Sequence, residues 1–270
     1  MLQFNNVMEV FKLLDKTNCR KCREKTCMAF AAAVFKGEKR LEECPFISRD
    51  TASLYGPPKA RKNSPEIDLE ESITAMRETI RGLDLKSRAE IIQAVFHNER
   101  LTLKIMGKDF SVDSNSTIYT DLHVNNWVVI SSFNYIIQCK GVPVRNEWVP
   151  FRELPGGLDW YRLFGQQCEK PLKNLGDTYP DLLKDLVDLF SGKHVTEQFQ
   201  SDISMVLFPL PLVPMLICYW EPEDGMESSL NLFFDATAGH NLGIEGIYLL
   251  GVGITQMFEK LALLHGFQNH

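Results

Sequence analysis

The spacing of apolar residues predicts a helical start to the chain. In residues 6–14 apolar side chains recur at helical intervals, and Asn6 can cap the helix. A second apolar run predicts a helix over residues 27–36, with Thr26 as its N-cap and Gly37 just past its end. A polar segment that contains cysteines separates the two helices, so we expect a small helical unit in this part of the chain.

The middle of the chain changes between helical and strand spacing. Residues 66–97 are predicted to be helical, because Ile73, Met76 and Ile80 are in phase and a further apolar run follows. Apolar and polar residues then alternate on both sides of the turn sequence MGKD, which predicts a β-hairpin. Residues 125–139 suit either a buried helix or a strand, and their length favours a helix.

The remaining part of the chain mixes strands and helices without a regular order. Strands are predicted at 148–154, 203–208, 212–220 and 229–234, and helices at 158–174, 179–191 and 244–265. Since strands and helices do not alternate as they do in parallel βαβ units, we predict an α+β fold.

A stretch of linker composition, GPPKARKNSP, occupies residues 56–65. It predicts a small module over residues 1–55 and a mixed α+β domain of unknown function over residues 66–270. The length of 270 residues suits one small module and one substantial domain.

The charge of the chain is low overall and uneven along it. A net charge of −6 and a pI near 5.6 argue against nucleic acid as a partner, which usually requires a basic face. Between Lys12 and Arg40, however, nine Lys/Arg face three Asp/Glu. This segment is either a solvated basic face or a charge that offsets an anionic metal cluster and steers an acidic partner.

The sequence predicts a cytoplasmic protein without membrane insertion. No basic n-region followed by an apolar core opens the chain. The uncharged stretch 203–220 contains Pro209, Pro211 and Pro214, which would break a spanning helix. Seven cysteines in a reducing compartment favour metal ligation over disulfides.

Four of these cysteines form the motif Cys19-x2-Cys22-x4-Cys27-x16-Cys44, which Pro45 follows directly. An iron–sulfur cluster needs four converging thiolates, and a proline after the last ligand recurs in such loops. The third cysteine begins a predicted helix, whose unpaired N–H groups and positive dipole end would face an anionic cluster. The motif therefore predicts one [4Fe–4S] cluster on these four side chains.

Tetrahedral zinc is the alternative for four cysteines. Zinc sites usually carry two closely spaced pairs, whereas this chain has one such pair and two single cysteines, so the spacing favours iron–sulfur. The other cysteines, Cys139, Cys168 and Cys218, lie in or near apolar segments and are expected to be buried as small hydrophobic residues.

The stretch TNCRKCREKTCMAFAAAVFKGEKRLEECP resembles the four-cysteine iron–sulfur module of the corrinoid/iron–sulfur protein large subunit. In that family the module binds a low-potential [4Fe–4S] cluster that passes electrons to a cofactor, a corrinoid in the nearest case. The resemblance implies the same cluster here, with a corrinoid as the candidate acceptor. The family usually has glycine after each of the first two cysteines, where this chain has Arg20 and Arg23. Because glycine permits unusual backbone angles, these replacements bear on the cluster's potential more than on its presence.

The C-terminal domain resembles an uncharacterised family of anaerobes that is often fused to this module, on the segments WVPFRELPGG, PLPLVP and FFDATAGH. Asp235 and His240 follow a predicted strand, where functional residues are common, and His240 could ligate a metal or the cobalt of a corrinoid. Trp160 could line the pocket of a flat cofactor. The alternative is that Asp235 caps a turn, His240 lies on the surface and Trp160 packs in the core.

Three functions fit these features. The first is an electron-transfer protein whose cluster reduces a cofactor in the C-terminal domain or on a partner, either a redox protein or a corrinoid protein. The second is a redox enzyme whose own site uses ionisable residues such as Asp235, His240, Arg152 and Glu153. The third is an accessory protein that senses redox state through the cluster. Their order here is the order in which the sequence favours them.

Overall fold

The computed structural model describes residues 4, 7–35, 37–55, 65–223 and 225–266. The chain divides into two compact units, Met1–Glu71 and Ser72–His270. Residues 56–64 of the predicted linker lie outside the described residues, so the division at 56–65 stays a prediction. The architecture is α+β, with a helical segment before the sheets, as the sequence predicted.

The first unit is built from short helices: α1 (Val7–Lys12), α2 (Cys27–Phe35), α3 (Arg49–Leu54) and the beginning of α4 (Pro65–Arg81). Its small core consists of nine buried residues, and two of them are Cys27 and Cys44. The predicted caps of α2 are present. The Ala29 N–H donates to Thr26 Oγ1 at 3.0 Å, and Gly37 has a left-handed backbone with φ of 79°.

The second unit begins with the remainder of α4, α5 (Leu85–Ile91) and a four-stranded antiparallel sheet. The strands follow chain order: β1 (Val95–His97), β2 (Arg100–Ile105), β3 (Lys108–Asp113) and β4 (Ile118–Thr120). The predicted hairpin is β2 and β3, in which Leu103 pairs with Phe110. Ile80 of α4 is fully buried in the core of this unit.

The predicted single helix over 66–97 is wrong in its second half. Asp84 accepts hydrogen bonds from the Lys86 and Ser87 N–H groups and so starts a new helix after α4 ends. Phe96 lies in β1 and pairs with Leu101, because the chain turns back at Asn98 and Glu99.

The larger sheet has five antiparallel strands in the order β5-β9-β8-β7-β6. They are β5 (Trp148–Pro150), β6 (Lys193–His194), β7 (Ile203–Leu210), β8 (Val213–Trp220) and β9 (Ser229–Asp235). The apolar run that was predicted to form buried strands is β7 and β8, whose residues are almost all buried. The strand predicted over 148–154 ends at Pro150, and a 3₁₀ turn over Phe151–Glu153 follows it.

The remaining helices of the second unit lie before, between and after these strands in the chain. They are α6 (Asn126–Gln138), α7 (Gly157–Phe164), α8 (Lys170–Thr178), α9 (Pro180–Leu189) and α10 (Ala238–Gly266). The helix predicted over 158–174 is two helices, α7 and α8, with the π-helical segment Gly165–Glu169 between them. The helical choice for 125–139 is confirmed by α6.

The long helix α10 forms part of the core. It is kinked at Gly243, and a buried stripe runs along it through Ile247, Leu250, Ile254 and Phe258. Among the described residues, Ala238–Leu264 is the one helix whose length and composition would allow it to cross a membrane, and 44% of its most apolar window is buried in the fold. Its apolar character therefore follows in part from its packing in the core.

Hydrogen bonds of Tyr135 and Met106 connect separate elements of the second unit. The buried Tyr135 hydroxyl donates to the Ile92 carbonyl at 3.0 Å and accepts from the Leu212 N–H at 3.1 Å. The Met106 N–H donates to the Phe208 carbonyl at 3.1 Å. In the described part of the chain, Ser131 Oγ is the single buried side-chain polar atom without a partner. Nearly all the buried side-chain polar atoms that the structure describes in this unit are therefore paired.

Candidate metal centre

The four motif cysteines line one small cavity in the first unit. Cys19 and Cys22 lie in the loop after α1, Cys27 is the first residue of α2, and Cys44 follows a 3₁₀ turn. Cys27 and Cys44 are buried, Cys22 is half-buried and Cys19 is exposed. The fold thus brings together four thiols that are up to 25 residues apart in the sequence.

Asn18 fixes the position of Cys27. Its backbone N–H donates to the Cys27 sulfur at 3.3 Å, and its side-chain Oδ1 accepts from the Cys27 N–H at 2.7 Å. Asn18 has φ of 51°, a left-handed conformation that asparagine tolerates better than most residues. An N–H donor on a sulfur stabilises negative charge there, so this contact suits a sulfur that bears negative charge.

The loop between the cysteines has the backbone shape that glycines would give it. Arg20 and Arg23 have φ of 60° and 65°, and the Arg23 N–H closes a turn on the Arg20 carbonyl at 3.0 Å. Non-glycine residues hold this left-handed conformation at a cost of roughly 1–2 kcal/mol each. The two arginines therefore keep the path of the loop and add positive charge to it.

Cys44 is held by the 3₁₀ turn before it. The Arg40 N–H donates to Glu43 Oε1 at 2.8 Å, and the Cys44 N–H donates to the Leu41 carbonyl at 3.2 Å. Burial raises the pKa of the Cys44 thiol above 9.0, and the three other cysteines act in the same direction. A thiolate at this position needs a nearby cation, which a bound metal supplies.

Positive side chains are frequent in the cysteine loop, and Arg20 lines the cavity together with Asp15 and Glu24. Arg20, Lys21, Arg23 and Lys25 are all exposed. Lys39 is half-buried, pairs with Glu24 at 3.2 Å and donates to the Cys22 carbonyl. This part of the surface therefore opposes the charge of an anionic group bound by the cysteines.

The residues present fit an iron–sulfur cluster in kind: four thiols, an N–H donor on a sulfur, a helix N-terminus and surrounding cations. The space between the side chains is about 10 Å³, close to the size of one water, so the thiols must move outwards around a bound group. Among the described residues, no group of three or more His, Cys, Asp or Glu side chains is gathered closely enough for one metal ion.

Asp235 is buried at the end of β9 and has a full set of partners. Its carboxylate accepts from the Arg145 and Asn146 N–H groups at 3.0 and 2.7 Å, and from the Thr237 N–H and hydroxyl at 3.0 and 2.6 Å. Burial alone would raise its pKa, but these hydrogen bonds outweigh burial and hold the pKa below 3.8. Asp235 therefore ties the loop before β5 to the start of α10.

His240 and Trp160 have other neighbours. His240 is exposed in the first turn of α10, and its N–H donates to the Thr237 carbonyl at 2.9 Å. Trp160 of α7 is half-buried, and its ring centroid lies 5.2 Å from that of Tyr248. The structure thus gathers the four cysteines around one cavity and gives Asp235, His240 and Trp160 separate contacts.

Two residues that support the cysteines were not found from the sequence. Asn18 directly precedes the first cysteine, and an asparagine at that place is a signal for a left-handed turn. Lys39 follows the end of α2 and reaches back across 17 residues to the Cys22 carbonyl, which spacing alone does not reveal.

The C-terminal part of the chain matches a known family. Residues 84–257 match the model of the family described as Domain of unknown function (DUF3786). Residues 14–46, which contain all four motif cysteines, match the FeS family model, whose description is that of a proposed Fe–S cluster. No solved structure matches the chain.

Curated relatives match stretches of very different length. The chain is 22% identical over 191 residues to the acetyl-CoA decarbonylase/synthase complex subunit gamma of Methanocaldococcus jannaschii, which is 70% of this chain and 37% of that protein. It is 51% identical over 43 residues to the subunit of the same name from Methanothermobacter thermautotrophicus, 16% of this chain and 9% of that one. It is 42% identical over 41 residues to the corrinoid/iron–sulfur protein large subunit of Moorella thermoacetica, 15% of this chain and 9% of that one. The matched part of the chain therefore covers 37% of the length of the first of these relatives and 9% of the length of each of the other two.

Proposed function

The chain belongs to the DUF3786 family of domains of unknown function, and from that membership, together with the cysteine segment in front of the family domain, we propose that it is an iron–sulfur electron-transfer protein. Its cluster is of the [4Fe–4S] type, and Cys19, Cys22, Cys27 and Cys44 hold it. The observation that supports this most directly is the single cavity that all four cysteines line.

A cluster bound here would accept and release one electron at a time. The chain's own residues set how readily that happens. The Asn18 N–H on the Cys27 sulfur and the N-terminus of α2 both stabilise added negative charge. The exposed Arg20 and Arg23 act in the same direction from the surface. The charges of the two arginines raise the reduction potential relative to a loop that has glycines in those two positions.

Electrons enter or leave on the side of Cys19. This is the exposed cysteine of the four, and the cations of the loop lie around it in the sequence. A partner with an acidic surface is therefore favoured, since opposite charges steer encounter. The relative from Moorella thermoacetica is named as a corrinoid/iron–sulfur protein, and we propose a corrinoid protein as the acceptor.

Metal and sulfide analysis of protein purified without oxygen tests the cluster. We expect iron and acid-labile sulfide in equal amounts, about four of each per chain, and little zinc. A Cys27→Ser variant should lose most of the iron and the broad visible absorbance. Cys218→Ala is the matched control, because Cys218 is buried in the larger sheet and should leave both unchanged. Zinc in place of iron, or iron that survives in the Cys27→Ser variant, would contradict the proposal.

The partner is tested by mixing reduced protein with a corrinoid protein and following the corrinoid absorbance. Transfer should slow as salt is raised, and slow further in a Lys25→Glu variant. Lys140→Glu is the control, since Lys140 is an equally exposed lysine of the second unit. Equal rates for both variants would argue against docking at the cysteine loop.

A further inference from the structure

The second unit contains a cavity of about 690 Å³ that the electron-transfer function does not use. Its walls are the first half of α6 with the loop before it, the turn after β2, and one face of α10 from Leu249 to Leu264. All of these elements belong to the unit Ser72–His270. The volume falls in the range of about 300–1,000 Å³ that small-molecule sites occupy.

The apolar wall of the cavity depends on a close approach between two helices. Gly253 is buried in α10, and a Cβ atom at that position would lie 2.4 Å from Trp127 Cγ. The glycine therefore lets the indole of Trp127 lie directly against the backbone of α10. With Ile105, Val252 and Met257, the indole makes most of the lining apolar.

The polar side chains of the lining can all donate hydrogen bonds, and none of those that the structure describes is acidic. Five polar side chains line the cavity, and one of them, Asn125, accepts from the Val128 N–H at 3.2 Å. In the described part of the chain the other four have no hydrogen-bond or ion-pair partner on the protein: His123, Asn126, Gln256 and Lys260. No Asp or Glu is among the lining residues that the structure describes. The first turn of α6 also lines the cavity and adds the positive end of its dipole.

We propose that this cavity binds a small molecule that has an apolar body and one anionic group. The apolar body lies against Trp127 and the face of α10, where burial from water favours it. The anionic group pairs with the ammonium of Lys260, and the amides of Asn126 and Gln256 can donate to it. A cationic molecule has no carboxylate to pair with in this lining, so the site selects against it.

Calorimetric titration of the iron-loaded protein with three ten-carbon probes tests the proposal. Decanoate should bind more tightly than decanol, and decyltrimethylammonium should bind weakest. Lys260→Gln should weaken decanoate about fivefold, as expected for one exposed charge pair, and leave decanol unchanged. Val252→Trp, which fills the cavity from its wall, should abolish binding of both.

Glu259→Gln is the matched control, because Glu259 is exposed on the same turn of α10 and does not line the cavity. Each variant is checked for iron content and for its unfolding midpoint, so that loss of the fold or of the metal is recognised. Equal binding of the anionic and cationic probes, or decanoate binding that survives Val252→Trp, would overturn the proposal.

Discussion

The cysteine unit and the DUF3786 unit fill their interiors in different ways. In the smaller unit, two of the nine buried core residues are cysteines that we propose as metal ligands. In the larger unit, two sheets and several helices meet in one apolar core, and buried polar groups such as Asp235 find their partners within the chain. The buried Asp235 of the larger unit is therefore paired within the chain, whereas the smaller unit places two of its proposed metal ligands in its core.

The two units also differ in where their residues with left-handed backbones lie. Lys16, Asn18, Arg20 and Arg23 all have left-handed backbones within one short loop of the cysteine unit. In the second unit, residues of this kind such as Asn98 and Met106 lie at the turns that join neighbouring strands, where the sheet hydrogen bonds compensate for the cost. The cysteine loop has no such ladder, so its shape should depend on the group it binds.

Removal of iron should have the largest effect and should act on one unit alone. A core of this size rarely supplies more than about 3–5 kcal/mol of stability. Because metal binding adds folding free energy to such a unit, we expect the cysteine unit to unfold when its metal is removed. Hydrogen exchange measured before and after chelation should show residues 7–55 losing protection, while residues 84–257 keep theirs. Unchanged protection of α2 in iron-free protein would show that the unit folds without a metal.

Asp235→Asn should produce the opposite pattern. An amide cannot replace a carboxylate that accepts four hydrogen bonds, so the second unit should lose about 3 kcal/mol, measured by urea unfolding. Iron content should not change.

The pH dependence of that difference follows from the lowered pKa of Asp235. A carboxyl whose pKa is lower in the folded state stabilises the fold above its unfolded pKa, and this stability is lost as the pH falls through the folded pKa. The difference in the free energy of unfolding between Asp235→Asn and the parent protein should therefore shrink below about pH 4. If this difference in unfolding free energy stays constant below about pH 4, the charge of Asp235 contributes little to stability.

Replacing the loop arginines should have the smallest effect. Arg20→Gly and Arg23→Gly each relieve a left-handed conformation and add chain entropy to the unfolded state, for a net gain of about 0.5–1 kcal/mol in the holo-protein. The loss of cluster absorbance on heating measures it. Arg20→Ala and Arg23→Ala are the controls, because they remove the charge but keep the strained Cβ. A gain of equal size in the alanine variants would assign the effect to charge instead of backbone shape.

The sequence was most informative where a local pattern is sufficient. The caps of α2, the hairpin of β2 and β3, and the buried strands β7 and β8 follow from residues that are close together in the chain. The motif cysteines were identified from spacing, and the structure places all of them around one cavity. Recognition of the FeS and DUF3786 segments agrees with the resemblances that the residues carried.

The sequence failed where structure depends on distant partners. Strands β1 and β4 have three residues each, too few to show alternation, and they exist because β2 and β3 offer edges for pairing. The π-helical segment between α7 and α8 leaves no periodic signal of its own. The cavity beside Trp127 joins residues more than a hundred positions apart, Trp127 and Gly253 among them, and only the packing of α6 on α10 brings them together.

The burial of Ile80 sets a practical limit on how the protein can be divided for study. Residues 84–257 carry the family signature, yet Ile80 before them and Phe258 and Ala262 after them are buried in the same core. A gene fragment cut at the signature's edges would encode a protein with holes in its interior and apolar surfaces exposed to solvent. The smallest fragment of the chain that folds is therefore longer than the segment that matches the family model, and it includes α4 and the C-terminal end of α10.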